Sequence, residues 1–432
     1  MATDFAKIKD QLAERSVNAN YSAFFTSGLV LAAIGLVLFI VSLLGDGSHR
    51  AWQAFHVNWI FWTGICAGAI AITAVHKIVG AKWSGVILRL SQATSFFIPV
   101  SLIGLVLIMT VGYHDIYGNM AAALPGLSPG KARWLSHSWM AIRMFVGLGL
   151  LFWIGIRMIR SDLLPDLVTV RDRVTGPRRV RYDRMLQGYD EAANHDRIYH
   201  SAAIYAPLYA FVMTIVAFDG IMALQPHWYS NLLGGWYFMG AWLGALMLDA
   251  LLMLYARKAV NLREFITDKQ RHDLGKLCFG FTVFWTYLMW AQFLVIWYGN
   301  MHEETGFVFA RLWGPWRPVG AAVGIGVFLI PFAGLLGVAP KKAPLTLGLL
   351  ATISFASLWL ERYLLVTPSV TAAAGPVFGL PELGPICLFL GLFLTCYAIF
   401  ARTFPMVSPR LALITLQKEA AHHGEIYESQ VG

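Results

Sequence analysis

Apolar residues come in ten long runs separated by short polar segments. The runs fall at approximately 22–45, 53–76, 91–112, 134–159, 202–223, 231–256, 274–299, 318–338, 344–366 and 383–404. A bilayer core about 30 Å thick needs about 20 apolar residues in helical form. These runs are too long and too continuously apolar for barrel strands, which alternate over about 10 residues. A spanning segment that is not a barrel strand must be a helix, because only helices satisfy their own backbone in lipid. The pattern therefore predicts an all-α polytopic membrane protein with ten transmembrane helices, crossings one to ten.

A weak repeat divides the crossings. Crossing two carries Phe61-Trp62-Thr63-Gly64-Ile65-Cys66-Ala67-Gly68, and crossing six carries Tyr237-Phe238-Met239-Gly240-Ala241-Trp242-Leu243-Gly244. Crossings four and eight carry Val146-Gly147-Leu148-Gly149 and Val323-Gly324-Ile325-Gly326 at nearly the same offset. Small residues at such spacing let membrane helices approach closely. The expected organisation is two tandem four-helix bundles, 53–223 and 231–366, plus two peripheral helices, 22–45 and 383–404. Residues 1–21 and 405–432 form the terminal segments, and 160–200 is a basic loop. Four crossings separate the halves, so the repeats share one orientation, unlike the inverted repeats of many transporters.

Charge assigns sides. The chain is 57% hydrophobic and only 13% charged, with net charge +9. Of 33 Lys and Arg, 26 fall on the side that holds both termini and five on the other. Basic loops stay in the cytoplasm, so both termini are expected there. The net charge is then topology and gives no reason to invoke nucleic acid; the basic loop can also meet anionic lipid headgroups or a partner. Residues 1–20 lack the basic start and short apolar core of a signal peptide. The four cysteines form no CxxC or CxxCH motif, which argues against covalent haem, zinc or an iron–sulfur centre.

Crossing seven is the most distinctive stretch. It runs from the basic segment Arg271–Lys276 through Trp285, Tyr287 and Gln292 to Trp297-Tyr298-Gly299-Asn300 and the acidic pair Glu303–Glu304. Ionisable groups in hydrocarbon are costly and usually face a bundle interior or water. His56, His137, Arg143, Asp219, Gln292 and Glu361 all fall in the half away from the termini. Asp249 and Tyr287 lie deeper. Two readings stand for each: headgroup-level residues and structural hydrogen bonds, or a polar, partly protonatable path. A quinol headgroup needs a proton acceptor and aromatic walls. Glu303 and Glu304 are either a solvated surface or a docking edge.

The run Trp285-x-Tyr287…Gln292-Phe293-Leu294-Val295-Ile296-Trp297-Tyr298-Gly299-Asn300…Glu303-Glu304 resembles the signature of the large NrfD-like membrane subunits of alternative complex III. The opening of crossing two, Phe55-His56-Val57-Asn58-Trp59-Ile60-Phe61-Trp62-Thr63-Gly64, is more similar to the ActF type than to the sister ActC type. The resemblance implies a subunit of a quinol:electron-acceptor oxidoreductase in a bacterial inner membrane. It implies quinol or menaquinol as substrate and no covalently bound cofactor or metal in this chain. Haem c and iron–sulfur clusters would belong to partners: multihaem and monohaem cytochrome c subunits, an iron–sulfur subunit and the sister NrfD-like subunit. The sister type is the one usually given the quinol site. No residue carries over as a proven catalytic group. On this reading His56, His137, Arg143, Asp219, Gln292 and Glu361 serve quinol or outer proton exchange. Asp249 and Tyr287 extend a proton path, and Glu303 and Glu304 form the docking edge. A stand-alone transporter or channel is the alternative from another class.

Overall fold

The second crossing, Ser48–Ile78, is buried almost from end to end: nearly every side chain from Ala51 to Ala74 is covered. Its covered side chains include Gln53, His56, Asn58, Thr63 and Thr73, polar groups that lipid would not satisfy and that the neighbouring helices enclose. Crossings three, five, six, nine and ten all pack against it. This is a computed structural model, and it describes residues 5–371 and 373–431. Residues 1–4 of the expected N-terminal segment and residue 432 of the tail lie outside the described residues.

The described residues are helical, without strands, and ten helices are long and apolar enough to cross a membrane. They are Ser22–Leu44, Ser48–Ile78, Leu88–Thr110, His137–Val170, Glu191–Gly220, Leu233–Ala259, Asp268–Gly299, Gly314–Leu336, Pro344–Val370 and Leu380–Thr403. Several extend past the apolar runs. Crossing four continues to Val170, and crossing five starts at Glu191, where Asp190 caps it by accepting from the Ala193 N–H at 2.7 Å. The expected basic loop is therefore largely helical, with Gly176–Leu186 as a further helix between them. Crossing seven is capped by Thr267 and ends at Asn300, whose left-handed backbone (φ 45°) turns the chain. Crossing eight contains a π-helical stretch, Gly324–Leu329, where Gly326 faces Ser357 of crossing nine.

The two glycine motifs of the repeat meet each other. Gly64 and Gly68 of crossing two lie against Ala241 of crossing six; a Cβ on Gly68 would stand 2.9 Å from the Ala241 carbonyl. Tyr237 of crossing six donates to the Ile60 carbonyl at 2.9 Å. The repeat thus marks the central seam of the molecule.

Crossings one and ten are each other's main partners. The interior face of crossing one is Gly28, Gly35, Phe39 and Ser42; the rest faces outward. Its small residues recur every seven positions and meet Gly384 and Gly391, also seven apart. A Cβ on Gly391 would stand 2.6 Å from the Gly28 carbonyl. This is close backbone packing of the small-residue kind. Gly391→Leu is expected to force the pair apart at a cost of ~1–3 kcal/mol, the range for overpacking. A thermal melt in detergent reads it, and an unchanged midpoint would refute the seam.

Both ends of the chain lie at one end of the bundle. Helix Phe5–Val17 packs on helix Pro409–Val431, and the Met406 N–H donates to the Ser16 carbonyl at 3.1 Å. A buried polar network sits at this end. Arg89 bonds to Asp166 and Gln92, Lys77 and Gln92 bond to Asp162, and Ser408 bonds to Asp166. It joins crossings two, three and four to the tail and leaves no charge without a partner, as buried charges require.

Candidate functional site

A cleft of about 680 Å³ opens between crossings seven, eight and nine at the end away from the termini. Helix His302–Leu312 closes one side. Its walls include Trp236, Trp285, Gln292, Phe293, Arg311 and Glu361. Local sequence explains each position. Trp285 and Gln292, seven apart, share the one covered face of crossing seven. Glu361 continues the covered stripe of crossing nine through Ser354 and Leu358. Phe307 and Arg311, four apart on the short helix, turn inward together.

The polar groups are few and incompletely matched. Glu361 is 1% exposed; the Trp285 indole N–H is its one hydrogen-bonding neighbour, in a loose geometry that leaves both carboxylate oxygens short of donors. The nearest charge is the Arg362 guanidinium at 3.3 Å. Arg362 itself donates to the Tyr237 carbonyl at 3.0 Å and lies over the Tyr237 ring. The Gln292 carbonyl oxygen and the Trp236 indole N–H lack partners among the described residues. Arg311, by contrast, is well held. It donates to the carbonyls of Phe307 (2.9 Å) and Leu365 (2.6 Å) and to Ser369 Oγ (2.6 Å), and stacks on the Phe307 ring. Burial pulls its pKa below the ordinary arginine range. A buried acceptor with no donor costs about 1–3 kcal/mol, more if charged. The cleft therefore favours an apolar, flat ligand that brings both donors and acceptors.

The other sequence candidates separate from this cleft. Arg143 and Asp219 form a bidentate pair at 2.8 and 2.6 Å between crossings four and five, with Asp219 fully buried. Arg143 also donates to the Trp134 carbonyl at 2.7 Å and stacks on that ring. The pair ties two helices together. His56 is completely buried and donates from Nε2 to the Gly220 carbonyl at 2.8 Å. Its Nδ1 and the nearby Tyr117 hydroxyl have no partner among the described residues. His137 is exposed, stacks on Tyr113 and donates to the Met109 carbonyl at 2.8 Å, tying crossing four to the end of crossing three. Six residues at one depth thus form two groups: Arg143–Asp219 next to His56 through Gly220, and Gln292 with Glu361; His137 stands at the surface.

Asp249 is buried between crossings six and three. It accepts from Ser91, and its second oxygen has no partner among the described residues. Tyr287 is different: it is 61% exposed on the outer face of crossing seven, while Gln292 is 8% exposed. Five residues are about 140° of helix, so one helix cannot aim both inward, and an inner path through Tyr287 is replaced by an outward-facing tyrosine. Crossing seven as a whole is mostly outward, so the stretch most distinctive in sequence lies at the rim and crossing two takes the centre. Glu303 and Glu304 occupy the first turn of helix His302–Leu312, where acidic groups favour the helix dipole.

Sequence reasoning missed Arg311 and Tyr117 as site neighbours. Arg311 reads as one of five basic residues on its side, and only the fold turns it inward. Comparison of the chain with protein-family models and with curated proteins finds no match.

Proposed function

We propose that the chain is an integral membrane subunit of a quinol:electron-acceptor oxidoreductase of the alternative complex III type, and that the cleft between crossings seven, eight and nine receives the quinol headgroup. The observation that carries this is the pair of acceptors in an aromatic cleft, the Glu361 carboxylate, met only by Arg362 at 3.3 Å and loosely by the Trp285 N–H, and the unpartnered Gln292 carbonyl. A quinol supplies two hydroxyl donors on a flat ring and an apolar tail suited to such walls.

In this reading one hydroxyl donates to Glu361, which takes that proton as the ring is oxidised. The second hydroxyl donates a hydrogen bond to the Gln292 carbonyl, which orients it without taking its proton; that proton leaves to water at the open side of the cleft. The overall change is quinol to quinone with release of two protons and two electrons. The electrons pass to redox groups of partner subunits, cytochromes c and an iron–sulfur protein, which dock at the end away from the termini near Glu303 and Glu304. That end is periplasmic and the termini cytoplasmic in a bacterial inner membrane, by the distribution of Lys and Arg. A cleft of this kind favours the reading in which this subunit itself takes quinol over a purely structural companion of the sister subunit.

A photoreactive quinone applied to membranes tests the site. Labelled peptides are expected from 285–297, 302–312 and 358–365. Labelling confined to the region of His56 or His137 would move the site, and an unlabelled chain would remove it. Affinity purification in mild detergent followed by a haem stain separates this reading from a stand-alone transporter, which would purify without haem proteins.

A further inference from the structure

At the end of the bundle that holds the termini, a second groove of about 1150 Å³ lies between crossings four and five under the helix Gly176–Leu186. Arg157, Arg160 and Arg197 line it. All three are exposed and form no hydrogen bond or ion pair among the described residues; Arg157 lies near the Trp153 ring. This contrasts with the same basic segment outside the groove, where Arg171 pairs with Asp183, Arg173 with Asp10 and Arg179 with Asp172. The groove's carboxylate, Asp190, already caps crossing five through the Ala193 N–H.

The arginines end two exposed apolar stripes. On crossing four, Val146, Leu150, Trp153, Arg157 and Arg160 follow one another by three or four residues and share one face. Trp153 is 59% exposed. On crossing five, Phe211, Ile204 and Arg197 recur every seven residues, and both apolar side chains are exposed. The two helices are adjacent and antiparallel. Two neighbouring apolar tracks, a tryptophan at the interface and three free guanidiniums above it match a phospholipid with its chains along the tracks and its phosphate among the arginines. A buried amide adds detail. Asn194 is 3% exposed, lines the groove and donates to the Ser161 carbonyl at 2.8 Å. Its own oxygen has no partner among the described residues. It is free to accept from a headgroup hydroxyl.

We infer that the groove between crossings four and five is a binding site for an anionic phospholipid whose headgroup carries a hydroxyl, of the phosphatidylglycerol class. The arginines hold the phosphodiester, Asn194 accepts from the glycerol, and Trp153 marks the depth of the ester region. The site is independent of the quinol reading.

The full chain, purified in neutral detergent and exchanged against phosphatidylglycerol, phosphatidylcholine or phosphatidic acid, reports bound lipid by native mass spectrometry. The triple variant R157Q/R160Q/R197Q is expected to retain at least threefold less phosphatidylglycerol. Retention of phosphatidylcholine should not change. The variant R171Q/R173Q/R179Q removes as much charge from the same segment outside the groove and is expected to bind as the parent does. Asn194→Leu should keep the preference for anionic lipid but lose that for phosphatidylglycerol over phosphatidic acid. Equal retention by the triple variant, or an equal fall in the charge-matched control, overturns the site. Full displacement of the lipid by inorganic phosphate would show a free-anion site instead. Displacement by an acidic peptide but not by competing lipid would assign the groove to a protein partner. Each single arginine variant reads the same quantity if the triple variant does not fold.

Discussion

Glu361→Gln is expected to lower quinol-dependent electron transfer by the assembled complex by about 10²- to 10⁴-fold, the usual contribution of a positioned proton acceptor. The change keeps the shape of the side chain and removes its capacity to take a proton. The expected stability change is small. Glu361 is buried, has only the Trp285 N–H as a loose hydrogen-bonding neighbour and has one cation within ion-pair range. Arg362 retains the Tyr237 carbonyl and ring when Glu361 is neutral. Neutralising Glu361 relieves the burial cost of the carboxylate and takes from buried Arg362 its one carboxylate partner, two effects of opposite sign that largely cancel. Loss of turnover with an unchanged or raised melting temperature is the signature of a group kept for chemistry. Full turnover in the variant would eliminate Glu361 as the acceptor. Loss of turnover together with loss of fold would assign it to structure.

Arg143→Leu should produce the largest stability loss in the outer half, about 3–5 kcal/mol, because it leaves Asp219 charged and buried without its counter-ion. Asp219 is fully buried, and both its oxygens are engaged by Arg143. Asp219→Leu exposes the converse problem less severely, since Arg143 keeps the Trp134 carbonyl and ring. The double variant R143L/D219L is expected to recover most of the loss, because well-packed apolar replacement of both partners is often neutral. Denaturant titration of the four proteins gives the coupling directly. A double variant no better than Arg143→Leu would mean that the pair carries more than helix-to-helix attachment.

The contrast between these two sites shows how far the pattern of residues reaches. The ten crossings were legible because twenty apolar residues in a row leave lipid-spanning helix as the one solution. The pattern marked Arg143, Asp219, Gln292 and Glu361 as polar groups inside apolar runs, and the structure pairs the first two and sets the last two in one cleft. Partnership was not legible. Arg143 and Asp219 belong to different crossings, and nothing in their neighbourhoods says that they pair with each other and not with Glu361. Facing is intermediate. The 140° between Tyr287 and Gln292 follows from helical geometry, but which of them turns inward depends on crossings eight and nine. The central place of crossing two goes with its polar residues, Gln53, His56, Asn58, Thr63 and Thr73, which neighbouring helices cover and lipid would not. Crossing seven drew attention through its aromatics, yet aromatics gather at rims as well as in cores.

The pairing of crossings one and ten carries a consequence for how the molecule is made. Crossing one leaves the ribosome before the other nine described crossings, and its partner leaves last of these. At about 5–20 residues per second, roughly tens of seconds pass between Gly28 and Gly391. Throughout that interval the stripe Gly28, Gly35 and Ser42 borders lipid. Waiting costs little, since lipid chains are as apolar as the missing helix and drive no collapse. Crossing ten then covers crossing two as well as crossing one, so its insertion closes this flank in a single late step. A nascent chain stopped before residue 380 would hold nine inserted helices with an uncovered flank, and cellular quality control would have one well-defined intermediate to recognise.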